Sequence, residues 1–185
     1  MEPERKGPLE EVITFALIAL AIVIPIRLWI AQPFIVHGGS MEPTFESGEY
    51  LIVDQLTYRF EAPKRGDVII MRYPKDPSTF FIKRVIGLPK ETVEIAGKNV
   101  IIHPAEGVAF TLDESFLDPS REQNEYATYA LGADEYFVMG DNRLESSDSR
   151  SWGALPAKDV VGRAIVRLFP LNRVSVFPGS VSLQQ

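Results

Sequence analysis

The chain has 185 residues, two histidines, no cysteine and a formal net charge of −6, so it is long enough for one domain with its own core but not for two. The acidic balance, and the absence of any run of more than two Lys or Arg residues, argue against a nucleic acid partner. Without cysteine, an HExxH motif or calcium-loop spacing, the chain offers neither disulfides nor a recognisable metal site, and we expect no metal.

The first predicted element is a transmembrane helix at residues 12–31, VITFALIALAIVIPIRLWIA. As a helix this stretch would rise about 30 Å, which matches the hydrocarbon thickness of a bilayer. A core helix would show a polar face, and residues 12–26 show none. A cleaved export signal would end in small residues before a polar start, but Ala19-Leu20-Ala21 lies in the middle of the run. The sequence therefore predicts an uncleaved anchor, preceded by a tail at residues 1–11 and followed by a folded domain at residues 32–185.

Basic residues predict the orientation of this anchor. Arg5 and Lys6 precede it, Arg27 lies in its far end, and residues 32–58 contain neither Lys nor Arg. Because basic residues concentrate on the cytoplasmic side of a membrane, we expect a single-pass protein of the cytoplasmic membrane. Its N-terminus would lie inside, and its folded domain would lie on the outer face, next to lipid.

The folded domain is predicted to be mainly β. Short apolar runs separated by turn residues follow the anchor, and none keeps a 3.6-residue period for ten or more residues. The predicted strands are Tyr50–Val53, Val68–Tyr73, Phe80–Ile86, Thr92–Ile95, Asn99–Ile102, Tyr136–Met139 and Val160–Leu168. The segments TVEI and NVII, joined by Ala96-Gly97-Lys98, predict a hairpin. Residues 103–134 are acidic and polar, which predicts a long surface excursion.

Ser40 is a candidate nucleophile because it lies in HGGSMEPTF, where two glycines allow a tight turn that could present the hydroxyl. A polar serine in an ordinary turn would have the same sequence, so both interpretations stay open. A histidine base is poorly supported. His37 is only three residues before Ser40 on the same extended segment, and His103 begins the polar excursion.

Lys83 is the other candidate base. It lies in TFFIKRVIGLP, among apolar residues that could desolvate its ammonium and so leave a neutral amine able to accept a proton. The alternative is a half-exposed strand in which Lys83 and Arg84 point to opposite faces, one of them toward water. The residues alone do not decide between these two structures.

A third segment, GDNRLESSDSRSWG at 140–153, follows the apolar run YFVM. Its many hydrogen-bonding side chains indicate either a network that positions other groups or a solvated loop.

Taken together, these segments resemble the type I signal peptidases, the enzymes that cleave signal peptides from exported proteins at the membrane surface. SMEPT at 40–44 resembles the nucleophile motif of that family, and FIKRVIGLP resembles the segment that carries the base. YLIVDQLTYRF, KRGDVIIMRYP and GDNRLESSDSR resemble further segments of the family in the same order. The similarity extends over about residues 11–170.

The resemblance implies a β fold of the kind shared by signal peptidases and repressor-type proteases, preceded by one transmembrane helix. It also implies a membrane-bound serine endopeptidase that cuts signal peptides after small residues through a Ser-Lys dyad and an acyl-enzyme, with no cofactor. Ser40 would be the nucleophile, Lys83 the base, and Ser146 the hydroxyl that hydrogen-bonds the lysine. The resemblance also assigns ion pairs that support the site to Arg84, Asp141, Asp148 and Arg150.

The family also suggests how the substrate binds. An extended peptide would lie between residues 34–38 and 80–82. The residues expected to contact it are Ile35, Val36, Gly38, Phe81 and Ile82.

The sequence departs from the family in two places. Gly38 stands where some members have a hydroxyl residue that helps the oxyanion hole, which leaves backbone donors such as the Ser40 N–H. GLPKE at 87–91 replaces the usual GLPGD, which puts the geometry of that turn in question.

Two other functions share many of these signals. A soluble self-cleaving or repressor-like Ser-Lys protease would lack the membrane span. An inactive anchored β domain that binds extended peptides would share every fold signal and would differ from an enzyme only in activity.

Overall fold

The computed structural model describes residues 7–25, 30–181 and 183. Helix α1 spans Pro8–Pro25 and contains no buried residue. It is long and apolar enough to cross a membrane, with a mean hydropathy of 2.0. Arg5, Lys6 and Arg27, from which the orientation was predicted, lie outside the described residues.

The prediction that the anchor helix continues to residue 31 is wrong at its last residue, because Ala31 begins strand β1 (Ala31–Ile35). This strand pairs antiparallel with β2 (Tyr50–Asp54), with Ala31 opposite Asp54 and Ile35 opposite Tyr50. Ala31 is the last residue of the apolar run in the sequence, and Gln32 and Pro33 follow it directly. Cross-strand pairing with β2, which sequence composition does not reveal, decides the conformation here.

The remaining strands confirm a mainly β domain. They are β3 (Val68–Tyr73), β4 (Asp76–Gly87), β5 (Thr92–Gly97), β6 (Asn99–His103), β7 (Phe110–Thr111), β8 (Glu125–Ala130), β9 (Glu135–Met139), β10 (Leu155–Pro156), β11 (Val160–Phe169) and β12 (Ser175–Val176). A one-turn helix, α2, spans Ser149–Trp152. All seven predicted strands are present, and β5 and β6 form the predicted antiparallel hairpin.

The strands form two antiparallel sheets. The larger sheet has the order β1-β2-β11-β3-β4-β9-β10, with β12 beside β11, and the smaller has the order β7-β6-β5-β8. Strand β3 is buried on both faces, so its side chains enter two cores in alternation. Val68 and Ile70 pack in the core with Met41, whereas Ile69 and Met71 pack in the core on the other face.

The prediction that residues 103–134 form a surface excursion is wrong in part. Strand β8 pairs with β5 along its whole length, from Glu125 opposite Gly97 to Ala130 opposite Thr92. Leu112 and Leu117 are buried. The segment looked like a loop because most side chains of β8 face solvent and are polar or small, although its backbone completes the smaller sheet.

Candidate active site

The loop that carries Ser40 is anchored on both sides. Met41 and Phe45 are fully buried, and the Phe45 N–H donates to the Met41 carbonyl oxygen over 2.9 Å. The Asn142 N–H donates to the Ser40 carbonyl oxygen over 3.0 Å. Because the neighbouring residues are buried or hydrogen-bonded, the half-buried Ser40 side chain has a fixed position at the surface of a cavity.

Lys83 lies on β4 and reaches this serine. Its Nζ is 2.7 Å from Ser40 Oγ and 2.9 Å from the Ile82 carbonyl oxygen. Lys83 is 3% exposed and Arg84 is completely buried. The alternative in which one of these two side chains points to water is therefore wrong.

Burial sets the protonation of this lysine. The pKa of Lys83 is lowered from 10.5 to about 8: desolvation is the largest cause, the carboxylates of Asp148 and Asp141 oppose it, and the charge of Arg150 adds to it. The Phe81 ring, whose centroid is 5.1 Å from Nζ, forms part of the apolar surroundings. A neutral amine is thus accessible near physiological pH, at hydrogen-bonding distance from a hydroxyl.

Ser146 lies beside the loop that carries Ser40, but the hydrogen bond to Lys83 that the family resemblance implies is not present. Its Oγ is buried and has no hydrogen-bond partner among the described residues. A Cβ added to Gly140 would lie 2.3 Å from both Ser146 Oγ and the Ser40 carbonyl oxygen. Position 140 therefore requires glycine, because a side chain there would overlap both Ser146 and the backbone of Ser40.

Arg84 and Asp141 form a buried ion pair next to the loop that carries Ser40, as the resemblance implies. Arg84 donates through Nε (2.8 Å) and Nη2 (2.6 Å) to the two carboxylate oxygens. The hydroxyl of Thr44, which was not among the predicted site residues, donates to the same carboxylate over 2.6 Å. This arrangement ties the exit of the SMEPT motif to β4.

Asp148 and Arg150 form a second pair that holds the 140–149 loop. Arg150 donates to both oxygens of Asp148, over 2.8 and 2.9 Å. Asp148 also accepts from the Gly140 N–H over 3.0 Å, and its side chain caps α2 through the Arg150 N–H. Both predicted pairs therefore fix backbone near the serine and lysine and do not themselves reach Ser40.

Asn142 is a positioning residue that was not predicted from the sequence. It is 2% exposed, and its Nδ2 donates to the Gly39 carbonyl oxygen over 3.1 Å. Its backbone N–H donates to the next carbonyl oxygen, that of Ser40, so Asn142 hydrogen-bonds two consecutive carbonyl groups of the loop that carries Ser40. The one available signal was its place in the polar 140–153 segment, since its partners lie about a hundred residues earlier in the chain.

The segment 103–134 also supports the site. Arg143 is 2% exposed; its Nε donates to the Gly140 carbonyl oxygen over 3.0 Å, and its guanidinium forms a bidentate ion pair with Glu114. Gln123 accepts a further hydrogen bond from Arg143 over 3.1 Å. On the other side, Arg121 forms an ion pair with Glu42, two residues after Ser40, over 2.9 Å.

A cavity of about 280 Å³ adjoins the serine and lysine. The five residues predicted to contact substrate all line it, namely Ile35, Val36, Gly38, Phe81 and Ile82. Leu51 and Ile70 contribute further apolar surface. The cavity therefore brings the predicted binding residues together with both predicted catalytic groups.

The two departures from the family motif have structural explanations. Gly38 has φ +83°, a conformation that a residue with a Cβ rarely adopts. In GLPKE, Lys90 has φ 68°, so it takes the left-handed conformation that glycine prefers. Glu91 accepts two hydrogen bonds from Arg65, over 2.7 and 2.9 Å, and one from the Leu88 N–H over 2.7 Å. The turn is therefore closed and held despite the changed residues.

Neither histidine forms a hydrogen bond with Ser40 Oγ in the described residues. His103 hydrogen-bonds Glu94 over 2.7 Å in the smaller sheet and is partly exposed. His37 lines the cavity, but it is Lys83 that lies within hydrogen-bonding distance of Ser40 Oγ.

Comparisons of this chain with known proteins agree on one family. The family model described as signal peptidase, peptidase S26, matches residues 9–169. A signal peptidase I of Leptolyngbya laminosa is 36% identical over 180 residues, covering 94% of this chain and 86% of that protein. Signal peptidase I P of Bacillus subtilis subsp. natto is 33% identical over 183 residues, covering 94% of this chain and 96% of that protein.

A solved structure of a signal peptidase I from Enterococcus faecalis V583 is 30% identical to this chain, with a TM-score of 0.46. The match covers 56% of this chain and 97% of that one.

Proposed function

The chain belongs to the signal peptidase family, peptidase S26, and from that premise we propose a serine endopeptidase that cuts exported preproteins after small residues, with Ser40 as nucleophile and Lys83 as general base. The distance of 2.7 Å between Lys83 Nζ and Ser40 Oγ carries the proposal. Burial of this lysine supports it, because a desolvated amine can be neutral and can accept the serine proton.

The proposed reaction has two halves. The neutral amine of Lys83 takes the Ser40 hydroxyl proton while Oγ attacks the scissile carbonyl carbon, and the Ser40 N–H is a backbone donor for the developing oxyanion. The resulting ammonium gives its proton to the leaving amine as the C–N bond breaks, which leaves an acyl ester on Ser40. Water, deprotonated by Lys83, then hydrolyses this ester and frees the serine.

The sheet edges support binding of the substrate as an added strand. Strand β1 is the first strand of its sheet and pairs only with β2 among the described residues. On β4, residues 80–82 pair with β3, whereas β9 pairs only with the stretch from Arg84 to Gly87. Two backbone edges therefore border the cavity, and an extended peptide between them would place its carbonyl near Ser40.

The cavity is also consistent with a preference for small side chains. Its lining is largely apolar, which suits small apolar side chains such as alanine next to the scissile bond. The apolar helix α1 suits a protein held at the membrane where its substrates are inserted, which would raise the effective concentration of substrate. We propose helix α1, Pro8–Pro25, as the membrane-inserted part, with the catalytic domain on the outer face.

The experiment is cleavage of a signal-peptide-bearing preprotein by the purified, detergent-solubilised full chain. Wild type is compared with Ser40→Ala and Lys83→Ala, and matched controls are Ser47→Ala and Lys98→Ala, at two exposed positions. We expect cleavage after a small residue by wild type and by both controls. Both dyad variants should lose activity by at least about a thousandfold while staying folded.

Near-normal activity of Lys83→Ala would show that another base serves Ser40. Failure of wild type to cleave, with the preprotein still bound, would instead favour a peptide-binding domain without activity.

A further inference from the structure

The cavity beside Ser40 contains one carboxylate among the described residues that line it. Glu145, from the 140–149 loop, lines this cavity together with Ser147, on either side of Ser146. Its side chain is exposed to solvent and forms no ion pair within the described part of the chain. The proposed mechanism does not use this group.

The surroundings make the charge of Glu145 effective toward a ligand. Apart from Glu145, the ionisable side chains in the lining are His37 and Lys83, and most of the rest is apolar. A solvent-facing carboxylate at the edge of an apolar, partly enclosed cavity interacts with ligand charges more strongly than one on an open surface.

Asn142 keeps this carboxylate on the side of the nucleophile. Its Nδ2 donates to the Gly39 carbonyl oxygen over 3.1 Å and lies 3.4 Å from Glu145 Oε2. The Glu145 N–H donates to the Asn142 carbonyl oxygen over 3.2 Å, which closes a turn. One buried residue therefore links the carboxylate to the backbone next to Ser40.

We infer that Glu145 selects substrates by charge: a Lys or Arg side chain close to the scissile bond is favoured, and an Asp or Glu side chain at the same position is disfavoured. This inference rests on the proposed function and names a substrate feature of the same site. For an exposed carboxylate we expect a preference of about threefold for Lys over Glu in kcat/KM. Added salt should reduce this preference, because the interacting charges are accessible to counterions.

The test uses a set of signal-peptide-derived peptides that share one cleavage site. Each of the three positions before and after the scissile bond, except the small-residue positions, carries Gln, Lys or Glu in turn. The ratio of kcat/KM for Lys and Glu peptides is measured for wild type, Glu145→Gln and Glu145→Lys, at low and high salt. The ratio cancels any general change in activity. Glu106→Gln is the control, because it removes the same charge from an exposed position outside the cavity lining.

We expect the ratio at the responsive position to exceed one in wild type and in Glu106→Gln, to approach one in Glu145→Gln and to fall below one in Glu145→Lys. An unchanged ratio in both Glu145 variants, with the Gln peptide still cleaved, would overturn the inference and leave the proposed function intact. If wild type cleaves no peptide of the set and no preprotein, the proposed function fails and the inference fails with it.

Discussion

The pH dependence of peptide cleavage tests the role of Lys83 most directly. Only the neutral amine accepts the serine proton, so activity should follow the deprotonated fraction of Lys83. With its pKa lowered to about 8 by burial, about 10% of the amine is neutral at pH 7, about 50% at pH 8 and about 90% at pH 9. We therefore expect kcat/KM to rise about tenfold between pH 7 and pH 9 and then to level off.

An exposed lysine would behave differently over the same range. With a pKa of 10.5, the neutral fraction would increase about a hundredfold between pH 7 and pH 9 without reaching a plateau. The two cases are thus separated by about tenfold in the size of the increase and by the presence of the plateau.

The assay is steady-state cleavage, by the detergent-solubilised chain, of a peptide that has no group titrating between pH 6 and pH 10. Circular dichroism at each pH verifies that the chain stays folded, and Lys98→Ala should give the wild-type profile, because this exposed lysine lies in the smaller sheet's hairpin. A hundredfold rise without a plateau would refute the desolvation of Lys83. A flat profile would refute its role as the base.

Substitutions at four positions test further consequences of the structure. Lys83→Met should stabilise the fold at pH 7 by up to about 3 kcal/mol in urea unfolding, because folding lowers the pKa of this lysine and so disfavours its ammonium; the gain should shrink from about pH 8 to pH 10.5. Lys90→Gly should stabilise by about 1 kcal/mol with unchanged kcat/KM, since this residue has φ 68°. Gly140→Ala should lower kcat at least about a hundredfold, because the added methyl group would overlap the Ser40 carbonyl oxygen. Glu114→Ala should lower the unfolding free energy by about 3 kcal/mol, because it leaves a buried guanidinium without its carboxylate, and Glu114→Gln should recover part of this loss.

The strands that were predicted from the sequence are those whose apolar residues enter a core. Val68–Tyr73 is apolar at four consecutive positions because β3 is buried on both faces, and such a run is visible in one sequence. Strand β8 was missed because its pairing with β5 depends on backbone hydrogen bonds and leaves its side chains mostly exposed. Ala31–Ile35 was missed because Gln32 and Pro33 interrupt its apolar residues, so that its pairing with β2 is not visible in the local pattern.

The same distinction applies to the site. Lys83 and Arg84 were recognisable as unusual because two basic residues stood inside an apolar strand, and the burial of both decides between the two structures that the sequence left open. Thr44 and Asn142 carried no such local contrast, since their partners Asp141 and Gly39 lie 97 and 103 residues away in the chain. Contacts of that separation follow from how the sheets pack, which the residue pattern near either partner does not encode.

The acidic character of residues 103–134, first interpreted as a sign of a long surface excursion, contributes ion pairs to the folded domain. Glu114 pairs with the buried Arg143, and Glu125 pairs with Arg150. Both arginines belong to the 140–153 segment, which lies against the backbone of Ser40. Burial of Arg143 without a carboxylate partner would cost several kcal/mol, so Glu114 makes it possible to hold this loop with a buried guanidinium group. Arg150 already has Asp148 as a partner, and Glu125 adds a second. The charges of the two segments are therefore coupled: Glu114 and Glu125 lie where they pair with Arg143 and Arg150, although both glutamates are far from Ser40 and Lys83 in the sequence.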